Sequence, residues 1–185
     1  ELSQRFTLHM FRARSGAGVV VRRRSRGTTV HSKRMRSTQE QAILNKKAEV
    51  ICVYELQGNL FFGSLEQVFR KLTDELDSIT YLILDMKRVL EIDDCAVALL
   101  AEMEKVLAGD GKKVLLAHLP IAAAQALTER REAGWRDGFF PDIDAALEWC
   151  ENQLLAADNV DNGCGNTILA LHEMDILAGL DQSEI

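Results

Sequence analysis

Two continuous apolar runs of strand length, "TYLILDMK" at 80–87 and "KKVLLAHL" at 112–119, constrain this chain most strongly. A strand that is apolar at successive positions has both faces buried, which is typical of a parallel sheet covered by helices. Between the two runs, "DDCAVALLAEMEKVLAGDG" has the apolar spacing of a helix that ends at glycine. Strand, helix and strand in this order predict an α/β fold.

The rest of the chain extends the same alternation. The sequence predicts a helix in "TQEQAILNKK", a strand in "EVICVYELQ", a turn and short second strand in "GNLFFG", and a helix capped by Ser64 in "SLEQVFRKLTDEL". After the second buried run come a helix that starts at Pro120, a short strand in "GWRDGFF" and a closing helix in "DIDAALEWCENQLLAA". The order α-β-β-α-β-α-β-α-β-α predicts a mostly parallel mixed sheet with packed helices.

Charge is divided unevenly along the chain. The net charge of the 185 residues is −6, yet residues 1–36 hold ten basic residues and one acid. Charge and apolar spacing together predict four segments: a short amphipathic helix at 1–12, a basic linker at 13–37, the α/β domain at 38–157 and a second linker with the start of another segment at 158–185. No aromatic residues interleave the arginines at 22–24 and 26, so a solvated linker, or one docked on the acidic half, is favoured over nucleic-acid binding.

The chain contains no recognisable catalytic machinery. It has no phosphate-binding glycine loop and no nucleophile or metalloprotease motif. The four histidines, His9, His31, His118 and His172, are isolated and predicted to be strand-end or surface residues. The cysteines Cys52, Cys95, Cys150 and Cys164 lack metal or disulfide spacing, which indicates free, mostly buried thiols in a reducing cytosol. We expect no catalytic residue, metal or cofactor here, and no membrane span.

The stretch "EIDDCAVALL" at 91–100 places two aspartates directly before an apolar helical run. Acids at a helix start accept hydrogen bonds from unpaired N–H groups and face a partial positive charge. The expected role of Asp93 or Asp94 is therefore the helix cap. In "LFF" at 60–62, two exposed phenylalanines would indicate a partner patch, but we expect at least one to pack in the core.

The stretches "VYELQGNLFFGSLEQVFRKL" and "YLILDMKRVLEIDDCAVALLAEMEKVLAGDGKKVLLAHLP" resemble a STAS domain, the fold of anti-sigma-factor antagonists and sulfate-transporter tails, over roughly 48–156. In the antagonists, a serine at this helix start is phosphorylated by a partner kinase. Here that position is Asp94, with Cys95 next, so the resemblance implies a fixed negative charge instead of a switch. The implied docking surface consists of Asn59, Asp93, Asp94 and Cys95.

The flanks carry two further resemblances. "ELSQRFTLHMF" is similar to the last helix of bacterial serine-dependent glutaminases, and "LALHEMDILAGLDQSEI" to the entry of a cyclic-nucleotide-binding domain. Together they imply a cytoplasmic regulatory or interaction module of a glutaminase. Its partner would be the upstream domain, a second copy or another protein. The alternatives are a sulfate-transporter-like parent and a nucleotide-sensing module, whereas nucleic-acid binding is not favoured.

Overall fold

The computed structural model describes residues 20–129 and 138–162, and they form one five-stranded sheet with helices on both faces. In the sheet the strands follow their order along the chain: β1 (Val21–Arg26), β2 (Ile51–Leu60), β3 (Tyr81–Ile92), β4 (Lys113–Ala117) and β5 (Phe139–Phe140). Strands β2 to β5 run parallel, and β1 is antiparallel to β2 at the edge. The predicted mostly parallel mixed sheet is confirmed.

Five helices cover the sheet in two layers: α1 (Thr38–Lys47), α2 (Phe62–Thr73), α3 (Asp94–Gly109), α4 (Ile121–Glu129) and α5 (Ile143–Asn162). Short 3₁₀ turns lie at Ala48–Val50 and Leu76–Ser78. Right-handed connections between neighbouring parallel strands place every connecting helix on the same face. Helices α2, α3 and α4 share one face accordingly, while α5 packs on the other. Among the described residues, no helix is long and apolar enough to cross a membrane.

Strand β3 contributes to a separate hydrophobic core on each face of the sheet. Leu82, Leu84 and Met86 face the core formed with α2, α3 and α4. Ile83 lies in the second core with Leu115 of β4 and with residues of α5. Because successive side chains of a strand point to opposite faces, two cores explain why the run "YLIL" is apolar at every position.

Strand β2 is longer than the sequence pattern indicates. It continues through Gly58 to Leu60 instead of ending in a turn, so the predicted short second strand in "GNLFFG" is wrong. Gly58 has a φ of 78° and lies beside a register shift, which bends the strand without ending it. Helix α2 then begins at Phe62. The predicted cap at Ser64 is also wrong, since Ser64 lies in the first turn, where its hydroxyl accepts the Phe61 N–H at 2.8 Å.

The arginine cluster forms strand β1, so the predicted basic linker at 13–37 is wrong over 21–26. Its residues pair with acids of the chain: Arg22 with Glu55 at 2.6 Å, and Arg26 with Glu75 at 3.1 Å. Docking on the acidic part of the chain is thus confirmed, and the packed region starts before residue 38. The helix predicted at 1–12 lies outside the described residues. Of the linker and further segment predicted at 158–185, residues 158–162 instead belong to helix α5, and the rest lies outside the described residues.

Residues 30–37, which we call the strap, run along one face of α5. Ser32 donates its N–H and its hydroxyl to the two carboxylate oxygens of Glu151, at 2.8 and 2.5 Å. The Lys33 N–H reaches Asp144 at 2.7 Å, and Arg34 pairs with Glu148 at 2.5 Å. Arg36, with 6% of its side chain exposed, pairs with Glu151 at 3.1 Å. The three acids are spaced i, i+4 and i+7, so they share one helix face.

The buried contact of Glu151 with the strap should contribute far more to stability than the exposed contact of Glu148. Glu151→Gln keeps the shape but leaves the buried Arg36 charge with only the longer, 3.8 Å contact to Glu40, so we expect a loss of about 3 kcal/mol in the free energy of unfolding. Glu148→Gln is the matched control on the same helix face, and should cost under about 1 kcal/mol because its pair is half exposed. Urea denaturation followed by circular dichroism measures both. Equal losses would contradict the assignment.

The chain should also lose stability at high pH through Tyr54. Burial, and then the negative charge of Glu75, raise the pKa of Tyr54 to about 12 from its ordinary 10. Above the ordinary pKa the unfolded tyrosine ionises while the folded one stays neutral, so stability is complete below pH 10 and falls between pH 10 and 12. Tyrosinate absorbance of a Tyr81→Phe variant, with Tyr54 its sole tyrosine, reports the ionisation directly. If the tyrosinate absorbance of the folded variant had its midpoint at pH 10, the raised pKa of Tyr54 would be wrong.

Candidate functional site

The ends of β2 and β3 and the starts of α2 and α3 meet at the carboxyl edge of the sheet. Asn59 pairs with Glu91 across the two strands, and the Asp93 N–H donates to the Leu60 carbonyl at 3.1 Å. This contact fixes the start of α3 beside the start of α2. The structure therefore brings together the four residues that the sequence proposed as a docking surface, Asn59 and 93–95.

The two aspartates have different roles. Asp93 caps α3, since its Oδ1 accepts the Ala96 N–H at 2.6 Å and its backbone carbonyl accepts the Val97 N–H at 3.0 Å. The predicted cap is confirmed and assigned to Asp93. Asp94 is the first residue of the helix, exposed, and makes no side-chain hydrogen bond to any described residue. Its charge is stabilised by the helix N-terminus and remains open to a partner.

Exposed apolar side chains lie beside these acids. Leu90 is the extra residue of a bulge in β3 and is 83% exposed, and Phe61, just before α2, is 44% exposed. Phe62 is partly buried but belongs to neither core, so the expectation that one phenylalanine packs in the core is wrong. We call the set formed by Asn59, Phe61, Leu90, Asp94 and Cys95 the carboxyl-edge surface.

A part-buried pair on the same edge was not predicted from the sequence. His118 Nδ1 lies 2.8 Å from Asp85 Oδ1, and Asp85 is only 5% exposed. His118 directly follows β4, as a strand-end residue should, but it is not isolated. Its φ of 54° is unusual for a residue with a side chain. The signal was available: "LILD" and "LLAH" end together, since Asp85 pairs with Ala117 in the register of β3 and β4.

Within 20–129 and 138–162, no group of three or more His, Cys, Asp or Glu side chains could hold a metal ion. Burial raises the pKa of the Cys52 and Cys150 thiols, which keeps them protonated and unreactive. Cys95 is exposed at the carboxyl-edge surface. An apolar patch beside a fixed charge can bind a protein surface, but offers no nucleophile and base in contact.

Comparison with known proteins gives consistent results. A family model described as the STAS domain matches residues 42–133. Glutaminase 2 of Bradyrhizobium diazoefficiens is 32% identical over 186 residues, covering 100% of this chain and 30% of that protein. Glutaminase 1 of the same bacterium is 28% identical over 159 residues, covering 83% of this chain and 25% of that protein. The chain thus spans under a third of the length of these curated relatives.

Among solved structures, a sulfate transporter family protein from Wolinella succinogenes is 27% identical to this chain, with a TM-score of 0.48. The likeness covers 56% of this chain and 86% of that one.

Substitution of Asp93 and Asp94 in turn should separate the stability that the helix cap contributes from that of the exposed charge. Asp93→Ala removes the side-chain acceptor of the Ala96 N–H, so we expect a loss of about 1 kcal/mol in the free energy of unfolding. Asp94→Ala removes only a charge near the helix N-terminus and should cost about 0.3–0.5 kcal/mol, decreasing with added salt. Urea denaturation at low and high salt measures both variants. If Asp94→Ala proved the more damaging, the cap assignment would be wrong.

Proposed function

Residues 42–133 belong to the STAS domain family, and we propose that this chain is the non-catalytic regulatory module of a cytoplasmic glutaminase that hydrolyses L-glutamine to L-glutamate and ammonia. One observation carries the proposal. The alignment with Glutaminase 2 covers all of this chain, whereas the STAS model covers only its middle. STAS domains occur in many kinds of protein, so similarity that extends through both flanks favours a glutaminase parent over other STAS-containing proteins.

The module would act through its carboxyl-edge surface. Phe61 and Leu90 supply apolar area, and Asn59 and Asp94 supply a polar rim, which is the usual make-up of a small protein interface. Asp94 stands where the resembling antagonists carry a phosphorylatable serine, so the surface would be charged permanently. As the partner we propose the catalytic domain of the same protein, since a tethered partner binds at high effective concentration.

One observation supports the cytoplasmic assignment, and a second argues against the nucleotide-sensing alternative. Cys52 and Cys150 are free, and both are buried among apolar residues, as is common in reducing compartments. The acids at the start of α3 would repel a phosphate group, which argues against nucleotide sensing at this helix.

The first experiment measures glutamate release from L-glutamine by the full-length protein and by this 185-residue chain alone. We expect activity only in the full-length protein, because the catalytic residues would lie outside this chain. If the full-length protein released no glutamate, the glutaminase assignment would be wrong. A sulfate-transporter-like parent would then be the better account.

The second experiment tests the surface in the full-length protein. Phe61→Ser combined with Leu90→Ser removes exposed apolar area without opening either core, so folding should be retained. We expect kcat or KM for glutamine to change by about threefold or more, where threefold corresponds to about 0.65 kcal/mol. Met35→Ser is the matched control, since Met35 is equally exposed (83%) but lies on the strap. Unchanged kinetics in the double variant would exclude this surface as the regulatory contact.

A further inference from the structure

A polar cavity of about 290 Å³ lies away from the carboxyl edge, between the strap, α1 and α5. The strap contributes Arg34 and Arg36, α1 contributes Gln41 and Asn45, and α5 contributes Glu151. The volume suits a molecule of the size of an amino acid. Neither the STAS resemblance nor the glutaminase proposal assigns a role to this cavity.

The acceptor groups of the cavity are already occupied. Glu151, the one carboxylate among the described residues that line the cavity, takes two hydrogen bonds from Ser32 and pairs with Arg36. An ionised carboxylate has about four acceptor positions, so little capacity is left for a cationic ligand. A bound molecule would therefore find few acceptors in the wall.

The donor groups are not used up. Arg36 Nε is buried and has no hydrogen-bond partner among the described residues. Arg34 uses one terminal nitrogen for Glu148, and the Asn45 amide makes no side-chain hydrogen bond to any described residue. A buried donor without an acceptor raises the free energy of the folded state, and an incoming acceptor removes that cost. The wall therefore favours a ligand rich in acceptors.

The guanidinium groups of the lining favour the same class of ligand. The lining contains two of them and one carboxylate, and further acids beside the cavity are Glu148, paired with Arg34, and Glu40, 3.8 Å from Arg36. Guanidinium groups bind carboxylates through short, charge-assisted hydrogen bonds. A buried Arg–Glu pair is weak evidence for stability in itself, so the pair of Arg36 and Glu151 invites a functional explanation.

We propose that the strap cavity binds a small organic carboxylate, held by Arg34, Arg36 and Asn45. Such a ligand would touch the strap, α1 and α5 at once. It would therefore strengthen the attachment of the strap to the domain and increase stability in proportion to its occupancy. This site does not depend on the identity of the parent enzyme.

The test is a titration of the ¹⁵N-labelled 185-residue chain with sodium L-glutamate, sodium acetate and sodium phosphate, against sodium chloride at matched ionic strength. The probe is the Nε–H signal of Arg36. The variant is Arg34→Gln combined with Asn45→Leu, two exposed positions whose replacement should leave the fold intact. Arg23→Gln is the matched control, an exposed arginine on β1 away from the cavity.

We expect L-glutamate to shift the Arg36 Nε–H signal saturably, with an affinity at least about tenfold lower in the double variant and unchanged in Arg23→Gln, as loss of a charge-assisted hydrogen bond requires. Shifts that sodium chloride reproduces would overturn the proposal, as would a double variant that binds like the wild type. Saturation by phosphate without saturation by either carboxylate would overturn the ligand class.

Discussion

The burial of β3 on both faces is the constraint on which the rest of the structure depends. Leu82, Ile83 and Leu84 are at most 2% exposed, and they alternate between the two cores. Each such side chain contributes about 1.5–3 kcal/mol to the free energy of folding when it leaves water. One helix layer alone would cover one face of β3 and would leave the side chains of the other face in water. The layer of α2, α3 and α4 and the opposite layer of α5 are both required by this one strand.

Asp85 marks the point at which this double burial ends. Pairing between β3 and β4 stops at Asp85 and Ala117, and beyond it β3 is paired with β2 alone. His118 closes the end of the paired region by contacting the buried Asp85 carboxylate. Beyond Asp85, the residues Met86, Val89 and Ile92 still pack in or against the first core, whereas Leu90 is the extra residue of the bulge and is exposed next to the start of α3. The candidate docking surface thus exists because β3 is longer than its neighbour.

The sequence predicted what depends on periodicity and missed what depends on contacts between distant residues. The continuous apolar runs identified β3 and β4, and the acids before "CAVALL" identified the capped start of α3. The pattern could not reveal that Gly58 bends β2 without ending it, because glycine is equally common in turns. The Asp85–His118 contact joins residues 33 positions apart and follows only from the register of β3 against β4. The Glu151–Arg36 contact joins residues 115 positions apart, and no local pattern encodes it.

The strap and the carboxyl-edge surface are connected through packed elements. The strap is held on α5 by Glu151, α5 packs through Cys150 against the core that contains Ile83, and Ile83 belongs to the strand that carries Leu90. Continuous packing allows coupling only if a ligand binds two states of the chain with different affinity. Detachment of the strap would supply the second of two such states, because a cavity ligand that contacts both strap and helix would bind only the attached one. Regulation from this cavity would therefore act by holding the strap on the domain, and not by altering the carboxyl-edge surface.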